Sequence, residues 1–525
     1  MTQTPDLAST GEPDLISTTP DRRSILLVFS GLMVAMLLAA LDQTIFSTAL
    51  PTIVGELDGV DHMLWVTTAY ILASTIMMPV YGKVGDLIGR KSIFIAAISL
   101  FMVGSLIGGL AGSMTVLIIG RAVQGLGGGG LMILSQAIIA DVVPARQRGK
   151  YMGIMGGVFA LASVAGPLLG GFFTEGIGWR WAFWMNLPLG ALAIVAAVFS
   201  LHLPHHDRQR PSIDVAGIML LAVASAALVL TSVWGGTTYA WTSPIILGLI
   251  VLTLAAAIGF VYVESRAAEP IMPLHLFRER NFVLATGAGL IIGVAMFGAL
   301  AYMPTYLQMV TGSGATKAGL LMIPMMGGLL VTSMVSGQMV SRTGRYKALP
   351  IVGTLVTGLG LALLSTMSAG TPIVITCTYL AVMGIGLGLS MQILILIVQN
   401  TFPAREVGTA TAANTYFRQI GASLGSAVVG TLFATRLTDL LAGSGATGSA
   451  GDSNSLTPDA VHQLPAAAQD LVVNAYSDAL TPVFLYLVPL LAVAAVLLSF
   501  VIEKPLATTL EDGAADLLTP EPVLT

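Results

Sequence analysis

Of 525 residues, 55 % are hydrophobic and only 10 % are charged, with a mean hydropathy of +0.86 and a formal net charge of −4. An ordinary soluble domain is about 25 % charged, so this chain has too little polar surface to cover itself in water and reads as a polytopic membrane protein. The single cysteine, Cys377, excludes an internal disulfide and a cysteine-based metal site, and reads as a small apolar residue in its run.

The first 23 residues are polar and acidic and lack the basic start and cleavage site of a signal peptide, so 1–23 is expected to be a disordered cytoplasmic tail. Apolar runs then follow near 24–50, 62–82, 92–112, 114–140, 151–173, 181–202, 214–234, 243–263, 282–309, 318–340, 348–367, 372–398, 407–434 and 479–502. Each has about the length of a helical membrane span, and lipid admits only helices or closed barrels. Fourteen spans with both ends cytoplasmic place 18 of the 23 Lys and Arg in alternate, inner gaps; only Arg180, Lys317 and Arg436 fall outside, and Arg121 and Arg418 lie within spans.

In chain order, the first unusual residue is Asp42, in LDQTIFSTALP. A carboxylate at span depth is costly unless paired, hydrated or protonated, and faces a cavity or the bundle interior. A group whose charge is opposed by burial and favoured by a nearby cation can load and release a proton. Phe46, four residues on, shares its helix face. A static ion pair is the competing use of Asp42.

GKVGDLIGRK, Gly82 to Lys91, closes the second span. Gly82 permits helix contact, Asp86 suits a helix N-terminus or an arginine, Gly89 permits a sharp turn, and Arg90 can pair with Asp141 at the inner end of span four. This reads as a conformational latch. GQMVSRTGRYK, Gly337 to Lys347, echoes it after span ten, with Ser341 in place of Asp86. Two related halves fit a repeat-built transporter, with spans seven and eight as a surplus pair.

Span four, IIGRAVQGLGGGG, offers Arg121 as a counter-charge to Asp42, with Gln124 on the same face and Gly127 to Gly130 for close helix contact. Snorkelling to an interface is the other use of such an arginine. In span five, ASVAGPLLGG puts Gly166, Pro167, Gly170 and Gly171 in a bend and a smooth packing face. Tyr302, Tyr306, Asn414 and Arg418 join Phe46 and Gln124 as substrate-cavity candidates; an aromatic belt or a structural hydrogen-bonding role are the alternatives for the later four. Residues 435–478 form the one long outer loop, with LTPDAVHQL and AAAQDLVVNAY as candidate short helices, and a lid as the simplest use. No GxxxxGK[ST] loop, HExxH pair or GxSxG elbow occurs, and His205 and His206 sit among inner-loop basic residues. The expected cofactors are none, with the proton as coupling ion, and no metal site and no enzyme activity are expected.

Together these motifs resemble the major facilitator superfamily, in its fourteen-helix drug:proton antiporter group, over residues 24–503. GKVGDLIGRKSIF resembles the superfamily's loop between helices two and three, and IIGRAVQGLGGG its helix-four proton-coupling motif, which implies the coupling role for Arg121. ASVAGPLLGG resembles the helix-five antiporter motif, and LDQTIFSTALP the helix-one motif, which implies the acid's role for Asp42; WRWAFWMNLPLG is a further group-like run. Ser47 stands where the helix-one motif usually has Asn, and Ala162 where the antiporter motif usually has Gly. Spans twelve and thirteen lack the acids that some relatives use for multivalent cations.

The expected fold is therefore an all-α membrane protein of 14 transmembrane helices: a six-helix bundle at 24–203, two additional helices within 204–264, a cytoplasmic linker at 265–281, and a second six-helix bundle at 282–503, followed by a cytoplasmic tail at 504–525. The expected function is proton-coupled export of amphipathic small molecules across the cytoplasmic membrane by alternating access. A dedicated exporter of one metabolite or lipid is the alternative, and a non-transporting sensor or scaffold a more distant one. The expected partners are substrates and membrane lipids, with no nucleic acid, and the expected functional unit is a monomer.

Overall fold

The computed structural model describes residues 22–57, 62–201, 213–236, 238–312, 314–443, 461 and 465–508. The expected tail at 1–21, the pair His205 and His206, nearly all of LTPDAVHQL and the end of the chain from 509 lie outside the described residues.

The described chain is helical: α1 Arg22–Glu56, α2 Met63–Ile88, α3 Arg90–Gly109, α4 Met114–Val142, α5 Ala145–Phe172, α6 Trp181–Trp184, α7 Asn186–Ser200, α8 Val215–Trp234, α9 Pro244–Glu264, α10 Arg280–Leu300, α11 Met303–Thr311, α12 Ala315–Leu321, α13 Ile323–Thr343, α14 Ala348–Leu364, α15 Ile373–Gln399, α16 Val407–Gly443 and α17 Ala466–Ser499. Thirteen helical stretches are long and apolar enough to cross a bilayer, counting α6–α7, α10–α11 and α12–α13 as one each. A fourteenth, the shorter apolar helix α14, is 17 residues long. These match the fourteen apolar runs one for one.

Local chemistry sets the helix ends. Ser113, Asp214 and Ser243 accept the amides of Val116, Gly217 and Ile246 and so cap α4, α8 and α9. Gly89, at φ +112°, turns α2 directly into α3, a backbone geometry that residues with a side chain avoid. Gly344, at φ +72°, ends α13 in the matching place of the second half.

Helices α1–α7 pack around Phe94, Ile98, Phe101, Leu134 and Ile138, with a second apolar cluster around Ile45, Phe46 and Phe183. Helices α10–α17 pack around Phe282, Leu361, Leu387 and Phe484. The halves meet chiefly along α5 against α13 and α2 against α16. The α8–α9 hairpin stands beside the second of these seams. It touches α2 through Trp65 and Trp234, whose rings lie 5.9 Å apart, and α16 through the Ser225 and Tyr416 hydroxyls, 2.8 Å apart.

Four expectations change. The long loop at 435–478 shrinks, because α16 continues to Gly443 and α17 starts at Ala466. AAAQDLVVNAY has no breaker before the apolar run that follows, so it forms the first three turns of α17 instead of a separate helix. Residues 504–508, expected to begin a loose tail, are tied down. The Tyr346 hydroxyl donates to Lys504 O, the Arg146 amide donates to Ala507 O, and Leu506 is buried. Finally, α1 starts at Arg22, two residues before the expected boundary.

Candidate functional site

Two charged clusters lie where the halves are built and where they meet. The first is enclosed in the first half. Asp42, on α1, is wholly buried. Its Oδ2 accepts Arg121 Nη1 at 2.5 Å, and its Oδ1 accepts Gln124 Nε2 at 2.6 Å and Asn186 Nδ2 at 3.1 Å. The Ser105 hydroxyl, from α3, accepts Gln124 Nε2 at 2.9 Å and Asn186 Nδ2 at 3.1 Å. The guanidinium also donates to Gln124 Oε1 and to Val66 O, and lies 4.2 Å from the Phe46 ring centre and 4.3 Å from that of Tyr70. Four helices thus deliver one carboxylate, one cation, two amides and one hydroxyl to a site without water access.

Small residues make this closeness possible. A Cβ at Gly120 would press on Gly108 of α3, and one at Gly125 would collide with Tyr70 O of α2. The run Gly127 to Gly130 lies so close to α2 and α3 that side chains there would strike the backbone of Ala97 and Ser74, the Tyr70 hydroxyl and the Tyr81 ring. On the other flank, Gly166 lies against Thr44 of α1, whose hydroxyl donates to Ala162 O at 3.0 Å. Gly170 is buried and Pro167 sits inside the continuous α5, near Gly319. Gly171, in contrast, faces open space, so it forms no part of the packing face expected of it.

The second cluster sits at the end of the molecule where α2, α4 and α13 finish and α3, α5 and α16 begin; the basic loops of the sequence gather here. Arg90 is buried and donates Nε and Nη2 to Asp86 Oδ1 at 3.1 and 2.7 Å, and Nη1 to Asp141 Oδ1 and to Ala137 O. Its Nη2 also reaches the second half, at Ala404 O, 2.8 Å away. Asp86 Oδ2 accepts the amide and hydroxyl of Thr409, at 2.7 and 2.9 Å, in the first turn of α16. A carboxylate there meets both free amides and the positive end of the helix dipole. Gly82 packs on Gly408 and Ala412. The echo loop does the same with the partners exchanged: Gly337 of α13 packs on Gly149 of α5, and Arg146 donates to Ser341 O and Arg342 O.

The remaining candidates lie in the second half. The Tyr302 hydroxyl donates to Ser426 O at 3.0 Å, the Tyr306 hydroxyl pairs with Ser477 Oγ at 3.2 Å, and Asn414 donates to Thr286 Oγ1 at 3.2 Å. These join α11 and its cap to α16 and α17, and α16 to α10. Arg418 is half-buried and has no hydrogen-bond or ion-pair partner among the described residues. Phe46 and Gln124 belong to the Asp42 cluster. Sequence reasoning missed Ser105 and Asn186; each is a polar residue inside an apolar run, and that was the available signal. Among the described residues no group of three or more His, Cys, Asp or Glu is placed to hold a metal ion.

Two helical halves joined along two seams, with charge enclosed in the first half and clasped across the boundary, define a membrane transporter. The chain belongs to the major facilitator superfamily, whose family model matches residues 32–426. It is 41 % identical over 500 residues to the MFS-type transporter Rv1877 of Mycobacterium tuberculosis, covering 95 % of this chain and 72 % of that one. It is 37 % identical to the multidrug transporter protein MdtP of Bacillus subtilis, covering 91 % of this chain and 93 % of that one. Among solved structures it superposes on the proton:xylose symporter XylE with a TM-score of 0.62 at 16 % identity, over 94 % of this chain and 99 % of that chain, a likeness of fold alone.

Proposed function

We propose that the protein is a proton-coupled antiporter that exports amphipathic small molecules across the cytoplasmic membrane, as a monomer with both termini cytoplasmic. The relatives named as a multidrug transporter and as multidrug resistance protein 3 of Bacillus subtilis, the latter 34 % identical, support drug efflux as the class of activity. The basic end carries the lysines and arginines that mark a cytoplasmic face.

The observation that carries the coupling is the sealed Asp42 cluster. Asp42 has no solvent exposure here, so a proton reaches it only after the first half rearranges. Protonation would cancel its charge and release Arg121 from its only acid, and Arg121 would then lean on Gln124, Val66 O and the Phe46 and Tyr70 rings. A change of one charge at a four-helix junction is a differential interaction large enough to bias two packings. The Asp86–Arg90–Asp141 cluster and Thr409 would hold the cytoplasmic side closed while the outer side exchanges substrate for protons. An inward proton driven by 100 mV supplies about 2.3 kcal/mol.

The test is paired flux in liposomes. Wild type under an imposed pH gradient should accumulate a lipophilic cationic dye while protons move in the opposite sense. Asp42→Asn should still bind the dye and lose the coupled flux. Normal pumping by that variant would move the proton site elsewhere. An absence of dye flux in wild type would favour the dedicated-exporter reading.

A further inference from the structure

The second half holds one charge that the coupling scheme leaves unused. Arg418 lies on α16, 11 residues from its start at Val407, which puts it about 16 Å along the helix, near mid-membrane. Its side chain is half-buried. Asn414, one turn earlier on the same face, donates to Thr286 of α10, and the Arg418 carbonyl lies against Gly293 of α10, so this face is turned toward the bundle and not toward lipid. It has no acidic partner, and the sequence shows why. Between Glu279 and Asp439 the only acidic residue is Glu406, in the turn before α16, and Glu406 pairs with His275 and Arg405. Helices α10, α13, α14 and α15 contain no Asp or Glu at all. The other span-depth cation, Arg121, and the buried Arg90 at the basic end each have a carboxylate within hydrogen-bond reach.

A second, independent observation falls one helical turn away. Thr415 is only 2 % exposed, and its hydroxyl has no hydrogen-bond partner. Residues three apart on a helix share a face, with Cβ atoms about 5–6 Å apart. A buried hydroxyl normally finds a backbone carbonyl of its own helix, as Thr357 and Thr354 do here. Asn414 on the same side is already committed to Thr286. So the face presents a forked cation and a free O–H donor with no protein acceptor between them.

An unpaired guanidinium in a low-dielectric bundle is costly, and an anion that brings its own negative charge removes that cost. The guanidinium fork matches planar oxyanions in bidentate fashion, a geometry that a lysine does not reproduce. We propose that Arg418 and Thr415 form the recognition site for an acidic group, a carboxylate or comparable oxyanion, on an amphipathic substrate, so that the protein exports organic acids as well as the neutral or cationic molecules expected of an acid-centred site. The proposal rests on the export reading for its physiological sense, but the binding it asserts does not.

The experiment measures equilibrium binding to the purified full chain in detergent, with no pH gradient, using 1-naphthylacetate and 1-naphthylacetamide. The two share an apolar body and differ in charge. Wild type should bind the acid at least 10-fold more tightly than the amide. Arg418→Gln should abolish that preference and leave amide affinity within twofold, which also shows that the variant is folded. Arg418→Lys should recover part of the preference, and Thr415→Val should weaken the acid alone by 3- to 10-fold. Should Arg418→Gln bind neither probe, the Thr415→Val result decides. Equal binding of acid and amide by wild type, or a preference that survives Arg418→Gln, overturns the proposal. Added phosphatidylglycerol distinguishes the source of the anion. Displacement of the acid from wild type by this lipid would identify a lipid headgroup as an occupant of the same site, and no displacement would leave the soluble organic acid. Because no transport is measured, failure of coupled flux in liposomes and failure of this site give separate results.

Discussion

Replacing Arg90 with glutamine should loosen the clasp at the basic end by a calculable amount. Arg90 makes bonds of two kinds. Those to Asp86, Asp141 and Ala137 O stay within the first half, and one, to Ala404 O at 2.8 Å, crosses to the second. Among the bonds of Arg90, only the crossing one, together with the Asp86–Thr409 cap that Arg90 orients, is lost when this end opens. A hydrogen bond to a charged group contributes roughly 1.5–3 kcal/mol. Losing one such bond, about 2 kcal/mol, multiplies the open population about 30-fold. The assay needs a reporter inside the seam. Gln136 serves, since its backbone carbonyl accepts Gln399 Nε2 across the halves and its side chain is 4 % exposed. With Cys377, the only native cysteine, changed to serine, a cysteine at position 136 should react with a small maleimide at a rate that follows the open fraction. Arg90→Gln should raise that rate by about 30-fold, and Asp86→Asn by a comparable factor. A rate within threefold of the parent would refute the reasoning, because the crossing bonds would then contribute nothing to closure.

In the same reporter background, Gly337→Val should also speed labelling, since a side chain at 337 would overlap the Gly149 carbonyl and overpacking costs about 1–3 kcal/mol; Gly327→Ala, where a Cβ meets nothing, should leave the rate unchanged. Asp42→Asn should lower resistance to unfolding in detergent by about 3 kcal/mol, the effect of leaving one member of a buried pair alone, and Asp42→Asn combined with Arg121→Gln should regain much of that loss without regaining coupled flux; equal melting of the single variant, the double variant and wild type would show that the pair is not sustained. At the opposite end, Arg180 and the Trp179 indole donate to Glu56 at 2.6 and 2.7 Å and hold its carboxyl below its ordinary range. A lowered folded value means stabilisation that is complete above about pH 4.3 and is lost as pH falls through the folded value. The pair is exposed, so the melting difference between wild type and Glu56→Gln should correspond to about 0.5 kcal/mol at pH 7 and vanish on acidification; a difference that grows at low pH would contradict it.

Much of this architecture is legible in the sequence because lipid allows few solutions. The runs of apolar residues and the alternation of basic loops define the spans before any packing is known. The buried charges are legible for the same reason: Asp42 and Arg121 are conspicuous where almost nothing is charged, and their pairing follows from the cost of leaving either alone. Ser105 and Asn186 are less conspicuous, because a serine or an asparagine in a span is inexpensive enough to occur without a partner. Helix ends are the poorest reading. Nothing in AAAQDLVVNAY announces that it fuses with the apolar run after it, and the docking of Lys504 and Ala507 depends on Tyr346 and Arg146, remote in the chain. Gly171 shows the reverse limit. It belongs to a small-residue face by spacing, but α5 turns that position away from its neighbours.

The α8–α9 hairpin makes the two seams unequal. Along α2 and α16 the boundary between halves is screened from lipid by α8 and the turn after it, through Trp65 with Trp234, Ser225 with Tyr416, and Trp241 with Thr431. Among the described residues no equivalent hairpin lies over α5 and α13, where Leu161, Leu168, Val331 and Val335 are exposed. A molecule dissolved in the bilayer therefore meets a shuttered flank on one side and a bare one on the other. On the proposed export reading, a substrate that enters sideways from the membrane would meet the side chains of the α5–α13 flank first.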